Sequence, residues 1–344
     1  MRAMVLTAHV PEWADGDTVR DPLASVDRPV PEPVEPFDVV VRVAAAGVCR
    51  TDLHLVTGAM ATEFPRVLGH ETAGVVHTVG SAVRAVRPGD SVVCYPFISS
   101  GRSSAERAGL DSAAPDRITP GITADGGFAE YLLTHERAML TVPAGTDLTA
   151  VAPLTDAGLA AYRACARARP LLGPGSSVLV IGAGGLGHLA IQILRSTTPA
   201  RIIAVDPGDR QRRLATDCGA DETIPPDRAE RDASTGELSV DVAIDFVGVD
   251  GTAALGVRAT RFGGAFFAVG VGGRLDIGLD ELVETEKRIE GVFVGTYTDL
   301  EEVTRLTLDG LVTPHVTIYP LTAANDALRD LAAGRVTGRA VLVP

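Results

Sequence analysis

Ser177-Val178-Leu179-Val180-Ile181 runs straight into Gly182-Ala183-Gly184-Gly185-Leu186-Gly187, and this join decides how the chain is read. The first run is β-branched and aliphatic, the pattern of a strand covered on both faces. The glycine run matches G-x-G-x-x-G, and a helical pattern continues from Leu186 to about Arg195. Each glycine has its own reason. Gly182 permits a tight turn, Gly184 lets backbone approach a pyrophosphate, and Gly187 lets the helix pack close to the strand. Gly185 and Leu186 carry the turn into the helix N-terminus, where free N–H groups and the helix dipole favour an anion.

Working outward, Arg201-Ile202-Ile203-Ala204-Val205-Asp206 reads as a second strand ending in an acid. Asp206 stands where a carboxylate bonding a ribose 2′-OH belongs, and its charge would repel a 2′-phosphate. NAD(H) is therefore expected over NADP(H), with Arg210 close enough in sequence to work against that preference. Further strands are expected at Val240–Val247 and Ala265–Val269, with a helix through Cys218 between them and Asp206. Alternating strands and helices predict a doubly wound parallel sheet with right-handed crossovers. A structural glycine turn in an unrelated α/β fold is the competing reading. Strand, turn, helix, strand and acid in that order favour a dinucleotide site.

The rest of the chain reads differently. Val39–Val43, Gly74–Gly80 and Ser91–Tyr95 are short strand patterns set off by turns, predicting a small barrel or sandwich. Ser99 to Gly127 is aperiodic and reads as a long loop or lobe. Thr298-Asp299-Leu300-Glu301 fits a capping box opening a helix, and Arg339 to Val343 reads as a closing strand. The 344 residues suggest about two domains. A net charge of −13 argues against a nucleic-acid partner, and 46 % hydrophobic residues argue against disorder. No apolar run approaches the roughly 18 residues of a membrane span, and the N-terminus has no apolar segment of a secretory signal. Only four cysteines in so long a chain point to a reducing, cytoplasmic setting without disulfides.

A second constellation lies upstream of the glycine run. Gly47-Val48-Cys49-Arg50-Thr51-Asp52-Leu53-His54 is followed by Gly69-His70-Glu71 and, far later, by Pro153-Leu154-Thr155-Asp156-Ala157-Gly158. Thiolate, imidazole and carboxylate are competent zinc ligands, and a catalytic zinc uses three protein ligands and keeps one open position. Each residue also has an ordinary reading: Cys49 as a small buried hydrophobe, His70 as a structural hydrogen bonder, Asp156 as a helix cap.

In order, GVCRTDLH, LGHE, DGGFAEY, PLTDAGLAAYRA, GAGGLG and the terminal GRAVLVP resemble the zinc-dependent alcohol dehydrogenases of the medium-chain dehydrogenase/reductase superfamily, over essentially the whole chain. The resemblance implies an α/β protein. A GroES-like β-barrel catalytic domain would cover 1–155, a Rossmann NAD-binding domain 156–296, and 297–344 would return to the first, with the active site in the cleft between them. It makes Cys49, His70 and Asp156 the catalytic zinc ligands, in a variant with aspartate at the third position. Asp52 would orient His70, and Glu71 would lie near the metal and ligate it transiently. Thr51 would hydrogen-bond the substrate oxygen, and His54 would end a proton relay through the nicotinamide ribose. Arg50 and Arg339 would contact the cofactor pyrophosphate alongside Gly182, Gly184, Gly185, Leu186 and Gly187. Tyr95, Phe97, Ile98, Val294 and Tyr297 would line or approach a pocket roomy enough for a secondary or bulky alcohol or ketone. A homodimer or homotetramer is implied.

The chain departs from its relatives in the lobe. Positions that often carry four cysteines for a structural zinc are Ser100, Ser103, Glu106 and Ala114. One catalytic zinc and no structural zinc are expected. Cys94, Cys165, Cys218 and His188 are read as packing residues. A zinc-free NADPH-dependent quinone or enoyl reductase of the same superfamily is the first alternative, although such proteins generally lack the cysteine and histidine present here. A catalytically silent nucleotide-binding protein is the second, and it would have no need of the Thr51, Asp52 and Glu71 set.

Overall fold

The computed structural model describes residues 1–11, 13 and 21–344. The chain folds as two compact units, one of 1–156, 296–304 and 314–344, the other of 157–295 and 305–313.

The first unit is built from β1 (Arg2–Leu6), β2 (Leu23–Asp27), β3 (Asp38–Val48), β4 (Arg66–Val67), β5 (Glu71–Val79), β6 (Ser91–Cys94), β7 (Tyr131–His135) and β8 (Met139–Thr141). Helix α1 (Arg50–Thr57) follows β3, and the short α2 (Ser104–Arg107) lies in the lobe. The second unit carries β9 (Ser177–Ile181), β10 (Arg201–Val205), β11 (Glu222–Ile224), β12 (Val240–Asp245), β13 (Thr260–Ala268) and β14 (Arg288–Gly291). Its helices include α3 (Gly187–Thr197) and α4 (Thr252–Ala259). Helix α5 (Tyr297–Leu308) then leads to β15 (Val316–Pro320) and β16 (Arg339–Val343), which rejoin the first unit.

Strands β9 to β14 form one sheet in the order β11-β10-β9-β12-β13-β14, and every neighbouring pair is parallel. Chain order reverses between β9 and β12, the doubly wound pattern with its switch point there. Leu179, Ile181, Ile203, Val205, Val240, Leu255 and Phe266 form a core on this sheet. Burying each such side chain contributes about 1.5–3 kcal/mol.

The first unit holds a sheet in the order β15-β16-β3-β5-β6-β8, with β7 also paired to β3, and a smaller sheet β2-β1-β4. The eleven-residue β3 is its spine. It pairs antiparallel with β16, with Val341 opposite Gly47, and with β5, with Gly47 opposite Glu71. Cys49 at the end of β3, Glu71 at the start of β5 and Arg339 at the start of β16 therefore emerge side by side from three adjacent strands.

Two expectations for the first unit shift. The helix after Gly295 opens at Tyr297, and its box is made by Thr296 and Asp299: Thr296 N donates to Asp299 Oδ2 at 2.9 Å and Asp299 N to Thr296 Oγ1 at 3.2 Å. The expected cap at Thr298 lies inside that first turn, because Thr296 already has an acid three residues on. The lobe is more ordered than aperiodic sequence suggested. Ser103 Oγ accepts from Glu106 N at 3.3 Å while Glu106 Oε2 accepts from Ser103 N at 2.7 Å, a reciprocal cap that opens α2. Among the described residues no helix is long and apolar enough to cross a membrane. All four cysteines are free thiols.

Candidate metal centre

Cys49, His70, Glu71 and Asp156 each point one ligand atom into a common space, with those atoms within 4.8 Å of one another. Asp156 arrives from the turn after Ala152–Thr155. Its Oδ2 lies 3.5 Å from Cys49 Sγ and 3.5 Å from His70 Nε2. Around a tetrahedral zinc, with Zn–N and Zn–O near 2.0–2.2 Å and Zn–S near 2.3 Å, neighbouring donors stand about 3.4–3.6 Å apart. The donor set and its spacing thus fit the ion.

The supports fit as well. Asp52 is fully buried in α1 and its Oδ2 accepts from Cys49 N at 2.8 Å. Its Oδ1 faces His70 Nδ1 at 3.6 Å. That is too long for a normal hydrogen bond, and neither atom has another hydrogen-bond partner among the described residues. With Nδ1 turned to a carboxylate, Nε2 is the nitrogen presented to the cluster, the arrangement that makes histidine a metal ligand. Thr51 Oγ1 is 3.6 Å from Cys49 Sγ. Thr51 and His54 are three residues apart on α1 and so share a helical face. Arg50, at the start of α1, is exposed.

Glu71 and Arg339 form a closed ion pair behind the cluster. Arg339 Nε donates to Glu71 Oε2 at 3.0 Å and Nη2 to Glu71 Oε1, while Nη2 also lies 3.8 Å from Asp156 Oδ2. The side chains are 4 % and 0 % exposed. Burial raises the Glu71 carboxyl to about 7 against the opposing pull of Arg339. Burial also pushes Asp156 upward, but His70, Arg339 and Cys49 together outweigh it and hold that carboxyl at about 2. Burial lowers His70, yet Asp52, Asp156 and Cys49 overcome it and lift the imidazole well above its ordinary value. A thiol, an imidazole and two carboxyls brought this close in a buried space are a donor set that suits a cation.

The structure thus gives Arg339 a partner that sequence reading did not, since its guanidinium is already committed to Glu71. It also gives Gly47 a role that the motif alone does not. A Cβ there would fall 1.8 Å from Glu71 Oε2. Only the missing side chain lets the Glu71 carboxylate lie across β3 to reach Arg339. A small residue two positions before the cysteine was the available signal.

In the second unit the glycine turn is built as its sequence implies. Gly182 has φ +87°, and a Cβ on Gly187 would strike Gly182 O at 1.8 Å. A Cβ on Gly184 would meet no protein atom within 4 Å, so packing does not demand glycine there; close approach of a ligand would. Leu186 stands at the N-cap position of α3 with no side-chain cap, and Asp206 holds the turn: its Oδ2 accepts from Ala183 N at 2.9 Å and its Oδ1 from Gly208 N at 2.8 Å. His188 is buried, its Nδ1 2.8 Å from Gly184 O. Cys94 and Cys165 are buried, and burial raises the Cys94 thiol to about 12.

In the lobe, Glu106 Oε1 accepts from Gly101 N at 2.6 Å and from Ser100 Oγ at 3.4 Å. Asp111 Oδ1 accepts from Ser99 Oγ at 2.5 Å and Arg137 Nη2 at 3.1 Å. Ser100, Ser103 and Glu106 are thus joined by hydrogen bonds, and Ala114 offers no ligand.

Residues 35–144 match the alcohol dehydrogenase GroES-like domain, and residues 185–309 match the zinc-binding dehydrogenase family. The chain belongs to the zinc-type alcohol dehydrogenases of the medium-chain dehydrogenase/reductase superfamily. It is an alcohol/carbonyl oxidoreductase that uses zinc and a nicotinamide cofactor. An NAD-dependent alcohol dehydrogenase of Sulfolobus acidocaldarius is 36 % identical over 94 % of this chain and 96 % of its own length. A D-arabinose 1-dehydrogenase (NADP(+)) of Saccharolobus solfataricus is 33 % identical over 94 % and 95 %. The crystal structure of the alcohol dehydrogenase from Aeropyrum pernix superimposes with a TM-score of 0.92 at 37 % identity, covering 100 % of both chains.

Proposed function

We propose that the enzyme interconverts neutral secondary or bulky alcohols and their ketones with NAD(H), using one zinc per chain held by Cys49, His70 and Asp156. The observation that carries this reading is the 3.5 Å spacing of Asp156 Oδ2 from both Cys49 Sγ and His70 Nε2. When bound, zinc supplies Lewis-acid polarisation of the substrate oxygen. The nicotinamide supplies the hydride chemistry.

The chain's own residues do the rest. Thr51 Oγ1, beside Cys49, receives the hydrogen bond of the substrate hydroxyl. His54, on the same face of α1, takes up the released proton at its imidazole and passes it to solvent. Asp52 keeps His70 turned so that Nε2 faces the cluster. Glu71, held back by Arg339, keeps a carboxylate near the cation without occupying the open position. Arg339 has guanidinium N–H groups beyond those given to Glu71, and with Arg50 these serve the cofactor pyrophosphate. Gly182, Gly184, Gly185, Leu186 and Gly187 cradle the dinucleotide.

Asp206 supports NAD(H): its charge stands beside the glycine turn, where a 2′-phosphate would be repelled. Arg210 is exposed and on the following helix. One relative carries NADP in its name, so the preference rests on this chain's own residues. The lobe supports one zinc, because a carboxylate with serine and backbone partners stands where relatives place thiolates. Tyr95 and Phe97 pack edge to face at 5.5 Å, and Tyr95 and Tyr297 at 5.8 Å. Tyr95 leaves β6 at the level of Glu71, since Thr72 pairs with Cys94, and this aromatic cluster suits an uncharged, apolar substituent. Assembly as a homodimer or homotetramer in the cytoplasm belongs to the same reading.

The test is a spectrophotometric screen of primary and secondary alcohols, aldehydes and ketones with NAD(H) and NADP(H), with and without chelator. Chelator-sensitive turnover of secondary alcohols with NAD(H) is expected. Turnover that ignores the chelator, or that needs NADP(H), would overturn the reading.

A further inference from the structure

Asp245 closes β12 and has no part in the chemistry above, yet it is the most heavily used buried carboxylate in the second unit. It is 2 % exposed. Its Oδ1 accepts from Val247 N at 2.8 Å and Gly248 N at 3.1 Å, and its Oδ2 from Thr252 Oγ1 at 2.7 Å. Its main-chain oxygen accepts from Val269 N and Gly270 N, both at 2.9 Å. One residue therefore ties the loop after β12, the start of α4 and the loop after β13.

The place matters. Asp245 pairs with Ile181, the last residue of β9, and Phe246 N donates to Ile181 O at 3.0 Å. In open parallel sheets ligands bind outside the carboxyl ends of the strands where chain order reverses, here between β9 and β12. The loops that flank this point interlock. A Cβ on Gly182 would meet Val247 Cγ2 at 2.5 Å, so Val247 is seated against the first glycine of the turn. Gly248 has φ +66°, and a Cβ on it would lie 2.2 Å from Gly270 C. Val247 and Gly248 are the residues whose amides the Asp245 carboxylate holds.

We propose that Asp245 is a positioning residue for the dinucleotide, acting through Val247 to set the glycine turn and through Gly248 and Thr252 to hold the opposite wall of the crevice. The inference rests on reading the glycine turn as the dinucleotide site. Hydrogen bonds to a buried carboxylate are about twice as strong as neutral ones, so the charge itself stiffens the loop. Thr252 Oγ1 also lies 2.8 Å from Val249 O, so an asparagine could keep its oxygen on the two amides and donate its NH2 to the hydroxyl; what Asp245→Asn removes is the charge that strengthens all three bonds.

The experiment titrates NADH into the zinc-loaded full chain by nucleotide fluorescence and compares Asp245→Asn, Thr252→Val, Thr252→Ser and Gly184→Leu. Asp245→Asn is expected to raise the NADH Kd about tenfold, and Thr252→Val about threefold, with kcat at saturating NAD changed far less. Thr252→Ser, which restores the hydroxyl, is expected to recover the affinity. A Kd rise with kcat preserved separates positioning from general loss of structure. If Asp245→Asn and Thr252→Val bind NADH like wild type while Gly184→Leu does not, the proposal is overturned and the dinucleotide site stands. If Gly184→Leu also binds normally, the reading of the glycine turn falls and the proposal with it. Should Asp245→Asn fail to fold, the Thr252 pair decides: equal affinities for valine and serine overturn the proposal.

Discussion

Replacing Arg339 by methionine removes the positive partner of Glu71 while keeping most of the side-chain volume. Both members of the pair are closed to solvent, at 4 % and 0 % exposure. Breaking a buried pair on one side costs about 3–5 kcal/mol, because the remaining carboxyl must either stay charged without a partner or take up a proton against the pH. In a folding unit of roughly 150–250 residues each kcal/mol moves the melting midpoint by about 2–4 °C, so the variant should melt about 6–20 °C below wild type at pH 8. The penalty should shrink toward pH 5.5. The folded-state value of Glu71, about 7, lies above the ordinary carboxylate value. A raised folded pKa contributes stability that is fully present below the unfolded value and lost as pH rises through about 7. Losing Arg339 lifts Glu71 further, and below its pKa the neutral acid leaves no unmet charge. Scanning calorimetry on chelator-treated protein at both pH values reads the effect without a cation nearby to mask it. Adding Glu71→Leu to Arg339→Met should restore most of the loss, since neither charge is then orphaned. A single variant within about 1 kcal/mol of wild type at pH 8, or a penalty independent of pH, would refute the argument.

Two further outcomes follow from the same geometry. Gly47→Ala sets a methyl group 1.8 Å from Glu71 Oε2, so the carboxylate must shift from its seat against Arg339; faster loss of zinc during dialysis against a chelator is expected, and unchanged retention would contradict the role given to Gly47. Hydrogen bonds from Ser103 hold the Glu106 carboxyl at about 2, below its ordinary value. A depressed folded pKa gives stability present above the unfolded value and lost as pH falls toward about 2. Amide exchange at Gly101 and Ser103 should therefore quicken relative to the core as pH falls, and Glu106→Gln should show the quickening at neutral pH. Identical exchange in wild type and variant would count against it.

The second unit was legible because its information is local. The strand Ser177–Ile181, the glycine turn and the helix behind it are contiguous, and steric rules alone assign each glycine. The end of β12 was misjudged by two residues: Phe246 and Val247 continue the apolar run, but Asp245 captures the next two turn amides and stops the strand. The first unit was legible only in outline. Its spine β3 pairs with strands from opposite ends of the chain, and no local pattern states that Gly47 lies between Val341 and Glu71. The Arg339–Glu71 pair spans 268 residues, beyond any periodicity. Cys49, His70 and Asp156 came from motif resemblance, and their meeting at Asp156 Oδ2 is a fact of folding that spacing alone could not supply. The lobe's order was available in part: Ser103-Ser104-Ala105-Glu106 is a capping box in sequence, overlooked because the surrounding segment is aperiodic.

The most direct measurement is the metal content of purified, active protein alongside Cys49→Ser and Asp156→Ala, with turnover and NADH binding followed on the same samples. The account predicts one zinc per wild-type chain, and both variants stripped of zinc and turnover while still binding NADH. Full activity in wild-type protein carrying no zinc, or either variant turning over normally without it, would contradict the claim that these donors share one ion.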